Sequence, residues 1–162
     1  MITQNRALEL YEYKDGELFW KTTYKTSHVK IGDKAGSFDS KGYRQVRFEG
    51  KKVLMHRVIF LMHHGWLPDC IDHIDGNPLN NKIENLRAAT FNQNSHNAKL
   101  SKANSSGIKG VSWHKRHGKW NARLLINRKM MNLGLFDSID EAKKVVTEAR
   151  MKFHGAFANP GF

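Results

Sequence analysis

The chain has 162 residues, 27 of them Lys or Arg against 15 Asp or Glu, for a formal charge of +12 at neutral pH. Hydrophobic residues at 40% and charged residues at 26% are values of a folded chain and exclude wholesale disorder. No apolar run approaches the roughly 20 residues of a membrane span, the N-terminus lacks the apolar stretch of a secretion signal, and a single cysteine, Cys70, excludes internal disulfides and thiolate-rich zinc sites. The expectation is a protein of the cytoplasm with no membrane partner. An excess of positive charge favours a polyanion through counterion release, with nucleic acid the first candidate.

In chain order, Tyr11–Tyr13 and Leu18–Trp20 flank Asp15-Gly16, the signal of a tight hairpin. Tyr43 to Phe48 alternates as a strand, and Glu49-Gly50 turns the chain into Lys51–Val53. From Leu54 to His64 the pattern becomes helical, with Leu54, Val58, Leu61 and Met62 on one face and Gly65 as the stop. Residues 71–78, IDHIDGNP, hold too many turn formers for a helix. Leu86 to Ala89 reads as a short strand, and Thr90 as the cap of a helix from Phe91 to about Leu100.

A small polar stretch at 101–107 has the composition of a linker, and the charge changes across it. Residues 1–100 carry 15 basic and 11 acidic side chains, net +4; residues 101–162 carry 12 and 4, net +8. In the second part Val111–His114, Lys119–Asn127 and Met130–Phe136 read as three strands, with turns near His117-Gly118 and Asn127-Arg128. Ser138 with Glu141 forms a capping box. Ile139, Ala142, Val145, Val146, Ala149 and Phe153 then make one apolar helical stripe ending at Gly155. The fold class expected is α+β: a β-rich N-terminal segment leading into a mixed core at 1–100, a linker at 101–107, and a three-stranded antiparallel sheet packed on one helix at 108–162.

The residues that could do chemistry are Asp72, His73 and Asn94. Asp72 offers a carboxylate and Asn94 an amide oxygen from the first turn of the following helix; hard oxygen donors suit Mg²⁺ or Mn²⁺ rather than zinc. Neighbours on an extended strand point to opposite sides, so Asp72 can hold a cation while His73 faces a water. A neutral imidazole is available as a base near pH 7. Against this stands the plainer reading that Asx-rich loops are turn chemistry. His56, Arg57, His63 and His64 are read as packing or helix-end residues, and Cys70 as a small packing residue.

His56-Arg57 followed by DHIDGNPLNNKIENLRAATFNQN resembles the HNH endonucleases of the phage and intron homing type, over about residues 43–100. The resemblance implies a ββα-metal fold with His73 as general base, Asn85 bracing the loop behind it, and Asp72 and Asn94 as ligands of a divalent cation, Mg²⁺ first and Mn²⁺ second. His96 and Asn97 stand close enough to Asn94 to take the second ligand's place. It further implies hydrolysis of double-stranded DNA to 5′-phosphate and 3′-hydroxyl ends, by nicking, as a monomer on DNA or a weak homodimer, with no small-molecule organic cofactor. Residues 107–159 resemble the plant APETALA/ethylene-response-factor DNA-binding domain through GIKGV, GKWNAR, LGLF, DEA and HGAFAN. That resemblance places Lys109, Ser112, His114, Arg123, Leu125, Met130 and Asn132 on a DNA-reading sheet face; charge adds Lys115, Arg116 and Lys119 as phosphate contacts. Two other readings stand beside the nuclease: a catalytically silent DNA-binding regulator on the same scaffold, and RNA as substrate. Lys14, Lys21, Lys25, Lys30 and Lys34 either touch DNA flanks or form a solvated face.

Overall fold

The computed structural model describes residues 2–22, 28–97, 100, 104–127 and 129–158. Lys25, the first three residues of the expected linker (101–103), Arg128 in the second turn, and Asn159 lie outside them. The chain divides into two compact units, residues 1–90 and 91–162.

The first unit opens with α1, Gln4–Leu10. No side chain caps it, and only Ala7 and Leu10 are buried, so its sequence carries no helix signature. Tertiary packing holds it instead: Gln4 Nε2 donates to the Met62 carbonyl at 2.9 Å. The hairpin β1 (Tyr11–Lys14) and β2 (Glu17–Trp20) follows, paired Tyr13 to Leu18 across Asp15-Gly16. Both turn residues have positive φ, 49° and 83°, the type I′ geometry whose twist matches the strands. Gly16 is required for space as well, since a Cβ there would stand 2.9 Å from the Lys82 nitrogen.

A three-stranded antiparallel sheet comes next, in order β3 (Ser37–Phe38), β4 (Arg44–Phe48), β5 (Lys51–Leu54). Leu54 ends β5 in extended conformation, and helix α2 runs from Met55 to His64. The expected single apolar face of α2 is too narrow. Met55, His56 and every residue from Val58 to Met62 are buried, because the helix is packed on more than one side. Gly65 stops it in the left-handed conformation, φ 76°, and His63 Nδ1 lies 2.8 Å from the Ile59 carbonyl. The core of the unit is Leu10, Tyr11, Leu18, Val46, Met55, Val58 and Ile59. On this support sits a second hairpin, β6 (Cys70–His73) and β7 (Leu86–Ala89).

The second unit begins with the short helix α3, Phe91–Asn97. Its sheet is β8 (Val111–His114), β9 (Lys119–Ile126) and β10 (Lys129–Phe136), antiparallel with β9 central. Helix α4, Ile139–His154, covers one face. Ser138 Oγ accepts from the Asp140 N–H, so the cap is made one residue earlier than the capping box implies. Ala142 and Val146 of the stripe are buried against Val111 and Ala122. Phe153 is not a core residue: it is 44% exposed, and Arg150, 2% exposed, takes the buried position in that part of the helix.

Candidate active site and nucleic-acid interface

Asp72 and His73 are consecutive on β6, and both are buried, at 2% and 7% exposure. Antiparallel register puts Asp72 opposite Arg87 and His73 opposite Leu86. Arg87 uses that placement fully: its Nε and Nη2 both lie 2.7 Å from Asp72 Oδ2. A buried carboxylate without a cationic or hydrogen-bonding partner would be costly, and the cross-strand guanidinium removes that cost. A carboxylate is a hard oxygen donor of the kind that a divalent cation such as Mg²⁺ takes, so the chemistry of Asp72 fits such an ion. Among the described residues no group of three or more His, Cys, Asp or Glu is clustered to hold a metal, so a cation here would rely on water, phosphate and amide oxygens for the rest of its shell.

His73 is oriented from two sides. Its Nε2 lies 3.0 Å from Asn81 Oδ1, a buried side chain. A neutral ring that donates through Nε2 keeps its basic lone pair on Nδ1. Against its other flank the His56 ring packs edge-on, centroids 5.1 Å apart at 83°. Burial, then the His73 and Arg57 charges, push the His56 pKa down to about 3. His56 thus stays neutral at ordinary pH and packs on His73 as an uncharged ring.

The loop from Ile74 to Asn85 is held by its own polar side chains. Asn85 Oδ1 accepts from the Asp75 N–H at 3.0 Å, and Asn85 Nδ2 donates to Asp75 Oδ1 at 2.9 Å and to the Asn80 carbonyl at 2.8 Å. Its main-chain carbonyl also takes the N–H of Ile74, the residue directly after His73, at 2.9 Å. Asp75 is a hub of the same network, accepting from the Asn77 N–H and Asn80 Nδ2, both at 2.8 Å. Burial raises its pKa, but the bonds from Asn77, Asn80 and Asn85, with the His73 charge, win and hold it below the usual carboxylate value. Asn94 stands on α3 in the second unit, half-buried. Asn97, its alternative, is buried there, and the His96 side chain lies outside the described residues.

Sequence reasoning left Arg87, Asn81 and Asp75 without roles. Register was the missing signal for Arg87: a β-hairpin drawn through Asp72 and a strand at 86–89 pairs the two. For Asn81 no pattern was available, since Asn80 and Asn81 differ only in which way the loop turns them.

In the second unit, cross-strand pairs show which residues share the face that α4 leaves open. Ser112 pairs with Asn121, His114 with Lys119, Arg123 with Asn132, and Leu125 with Met130. Lys115 and Arg116 are exposed in the turn after β8. Lys119 Nζ forms an exposed ion pair with Asp137 at 3.0 Å, a contact that solvent makes weak. Lys109 precedes β8 and is half-buried, and burial with the nearby Arg150 charge lowers its pKa to about 8. Trp113, 46% exposed, meets Trp120 edge-on on the α4 side of the sheet.

Residues 53–96, from β5 through most of α3, match the family model described as HNH endonuclease. The chain is 42% identical over 88 residues to "Protein 3.8" of Escherichia phage T7, covering 54% of this chain and 72% of that protein. It is 31% identical over 118 residues to "Uncharacterized HNH endonuclease L560" of Acanthamoeba polyphaga mimivirus, covering 71% of this chain and 60% of that one. No solved structure matches. Among the described residues no helix is long and apolar enough to cross a membrane.

Proposed function

The chain belongs to the HNH endonuclease family, and from that premise we propose that it is a metal-dependent endonuclease of the homing type that nicks double-stranded DNA. The observation that carries the proposal is the pair Asp72-His73, buried on β6 within the matched residues, with the His73 ring bonded to Asn81.

In this reading His73 takes a proton from water through Nδ1 as the water oxygen attacks phosphorus. The bond from phosphorus to the 3′ oxygen breaks in line with the attack, leaving 5′-phosphate and 3′-hydroxyl ends. A divalent cation, Mg²⁺ or Mn²⁺, supplies charge stabilisation to the phosphorane-like state and the leaving oxygen when bound. Asp72 and, by the family pattern, Asn94 would hold it. Arg87 holds the Asp72 carboxylate in place, and Asn85 holds the turn that follows His73. The second unit serves as an APETALA/ethylene-response-factor-like reader, meeting the major groove with its open sheet face as two-stranded and three-stranded surfaces can. In this reading Lys109, Ser112, His114, Arg123 and Asn132 contact DNA at the positions matching that family, and Lys115, Arg116 and Lys119 meet phosphates. The protein acts in the host cytoplasm, as a monomer on DNA or a weak homodimer, without an organic cofactor.

The test is cleavage of supercoiled plasmid and phage genomic DNA with Mg²⁺ or with EDTA, comparing wild type with His73→Ala. Removing a general base lowers rates by about 10²–10⁴-fold. Metal-dependent nicking that falls by that factor in the variant, with DNA binding retained, supports the assignment. Undiminished nicking by His73→Ala refutes the role of His73, and binding without cleavage on either DNA favours the silent regulator.

A further inference from the structure

The second unit contains a cavity of about 400 Å³ for which the proposed nuclease reaction has no use. Strand length creates it. β8 pairs with β9 only up to Val111 and Ala122, with one further bond from the Arg123 N–H to the Gly110 carbonyl at 2.8 Å. Beyond that point Leu124 to Ile126 continue with β10 alone on one side, and the last turn of α4 closes over the step, His154 Nε2 lying 3.0 Å from the Leu125 carbonyl. Gly110 keeps the step open: its φ is 85°, and a Cβ there would fall 2.5 Å from the Arg123 carbonyl.

The lining has two chemistries. Lys109, Arg123, Arg150 and His154 give it a cationic side, while the cross-strand pair Leu125 and Met130 contributes exposed apolar surface. No Asp or Glu is among the described residues that line it. Arg150 is buried and donates to the Lys109 carbonyl at 2.6 Å, which brings the two cationic residues into one corner. Their charges oppose each other there, and both pKa values are pushed down, by burial first. An anion entering this corner would relieve the repulsion, as close pairs of basic groups do at phosphate sites. The volume exceeds what a lone phosphate fills and approaches that of a small organic ligand with an apolar part.

We propose that this cavity binds one nucleotide unit, its phosphate against Lys109 and Arg150 and its base against Leu125 and Met130. The nucleotide is either free or presented by an unstacked strand. The assignment shares Lys109 and Arg123 with the proposed DNA-reading face, and to that extent rests on it. It is independent of the chemistry at His73.

Titration of the full chain in EDTA with inorganic phosphate, a deoxynucleoside 5′-monophosphate, a short single-stranded oligonucleotide and a duplex tests it. The monophosphate should bind more tightly than inorganic phosphate. Lys109→Gln should weaken it about tenfold, the value of a lost charge-assisted hydrogen bond. Lys144→Gln, the same change of charge on the exposed side of α4, should not. Arg123→Gln, on the exposed strand surface, is the second variant and should also weaken binding. Competition by the oligonucleotide assigns the nucleotide to a strand, and its absence assigns it to a free ligand. Duplex binding without monophosphate binding overturns the cavity assignment and leaves the DNA reader standing; monophosphate binding without duplex binding does the reverse. Equal effects of Lys109→Gln and Lys144→Gln also overturn it.

Discussion

The candidate catalytic residues of the first unit and the candidate DNA contacts of the second are set in opposite ways. In the first, Asp72, His73, His56 and Asn81 are all under 8% exposed, and Asp72 meets Arg87 while His73 meets Asn81 and the His56 ring. In the second, Lys115, Arg116, Arg123 and Asn132 lie at the surface. A buried network fixes atoms to fractions of an ångström and is intolerant of loss, because each deleted partner leaves another group desolvated. An exposed charged face tolerates loss of any member, because water replaces it. Substitutions in the first unit should therefore act steeply and through stability as well as rate. Those in the second should act gradually, and through salt.

The largest expected effect on stability is at Arg87. Arg87→Ala leaves the Asp72 carboxylate buried without its guanidinium, and breaking a buried pair from one side costs about 3–5 kcal/mol. Urea or thermal unfolding reads this directly. The double variant Asp72→Asn with Arg87→Ala should recover part of the loss, since no buried charge remains. A double variant as unstable as the sum of the singles would show that Asp72 and Arg87 do not act as a pair, and would weaken the contrast between the units.

That pair also marks where the sequence stopped being legible. The Asp15-Gly16 hairpin, the β8–β10 sheet and α4 could be read because their signals are local: turn residues, alternation, a cap, an apolar stripe. The Asp72-His73 dipeptide stood out for the same reason. Arg87 lies 15 residues from Asp72 and meets it only through strand register, which no short-range pattern encodes. Helix α1 has neither cap nor continuous apolar face and exists because α2 offers it a surface. Arg150 was passed over because a basic residue beside an apolar stripe reads as solvated, whereas here it is buried and bonded to the Lys109 carbonyl. In each case the missing information is a partner distant in sequence.

A smaller effect is expected at Asn85, whose side chain makes three bonds in the loop after His73. Asn85→Ala removes all three, but Asp75 retains its bonds from Asn77 and Asn80 and is largely open to water. A loss of about 1–3 kcal/mol is expected, with faster hydrogen exchange at Ile74 and Asp75 and a lower cleavage rate. Asn85→Asp keeps the acceptor for the Asp75 N–H but sets a second carboxylate against Asp75, so it should be no better than alanine. A fully stable Asn85→Ala protein with normal loop exchange would remove the bracing role.

The smallest change in free energy, and the cleanest contrast with Arg87, belongs to Lys115 and Arg116. Both are exposed in the turn between β8 and β9, so replacing them with glutamine should leave the unfolding midpoint within experimental error. If each meets a phosphate, the slope of log K against log salt for DNA binding should become shallower by about 0.9 per contact, roughly 1.8 for the pair. Binding would then weaken most at low salt and hardly at all at high salt, for specific and nonspecific duplexes alike. A uniform loss at every salt concentration would instead make them contacts to base edges. An unchanged slope would move the phosphate-binding surface off this turn and onto the strands themselves, where Arg123 is the exposed cation on the open face.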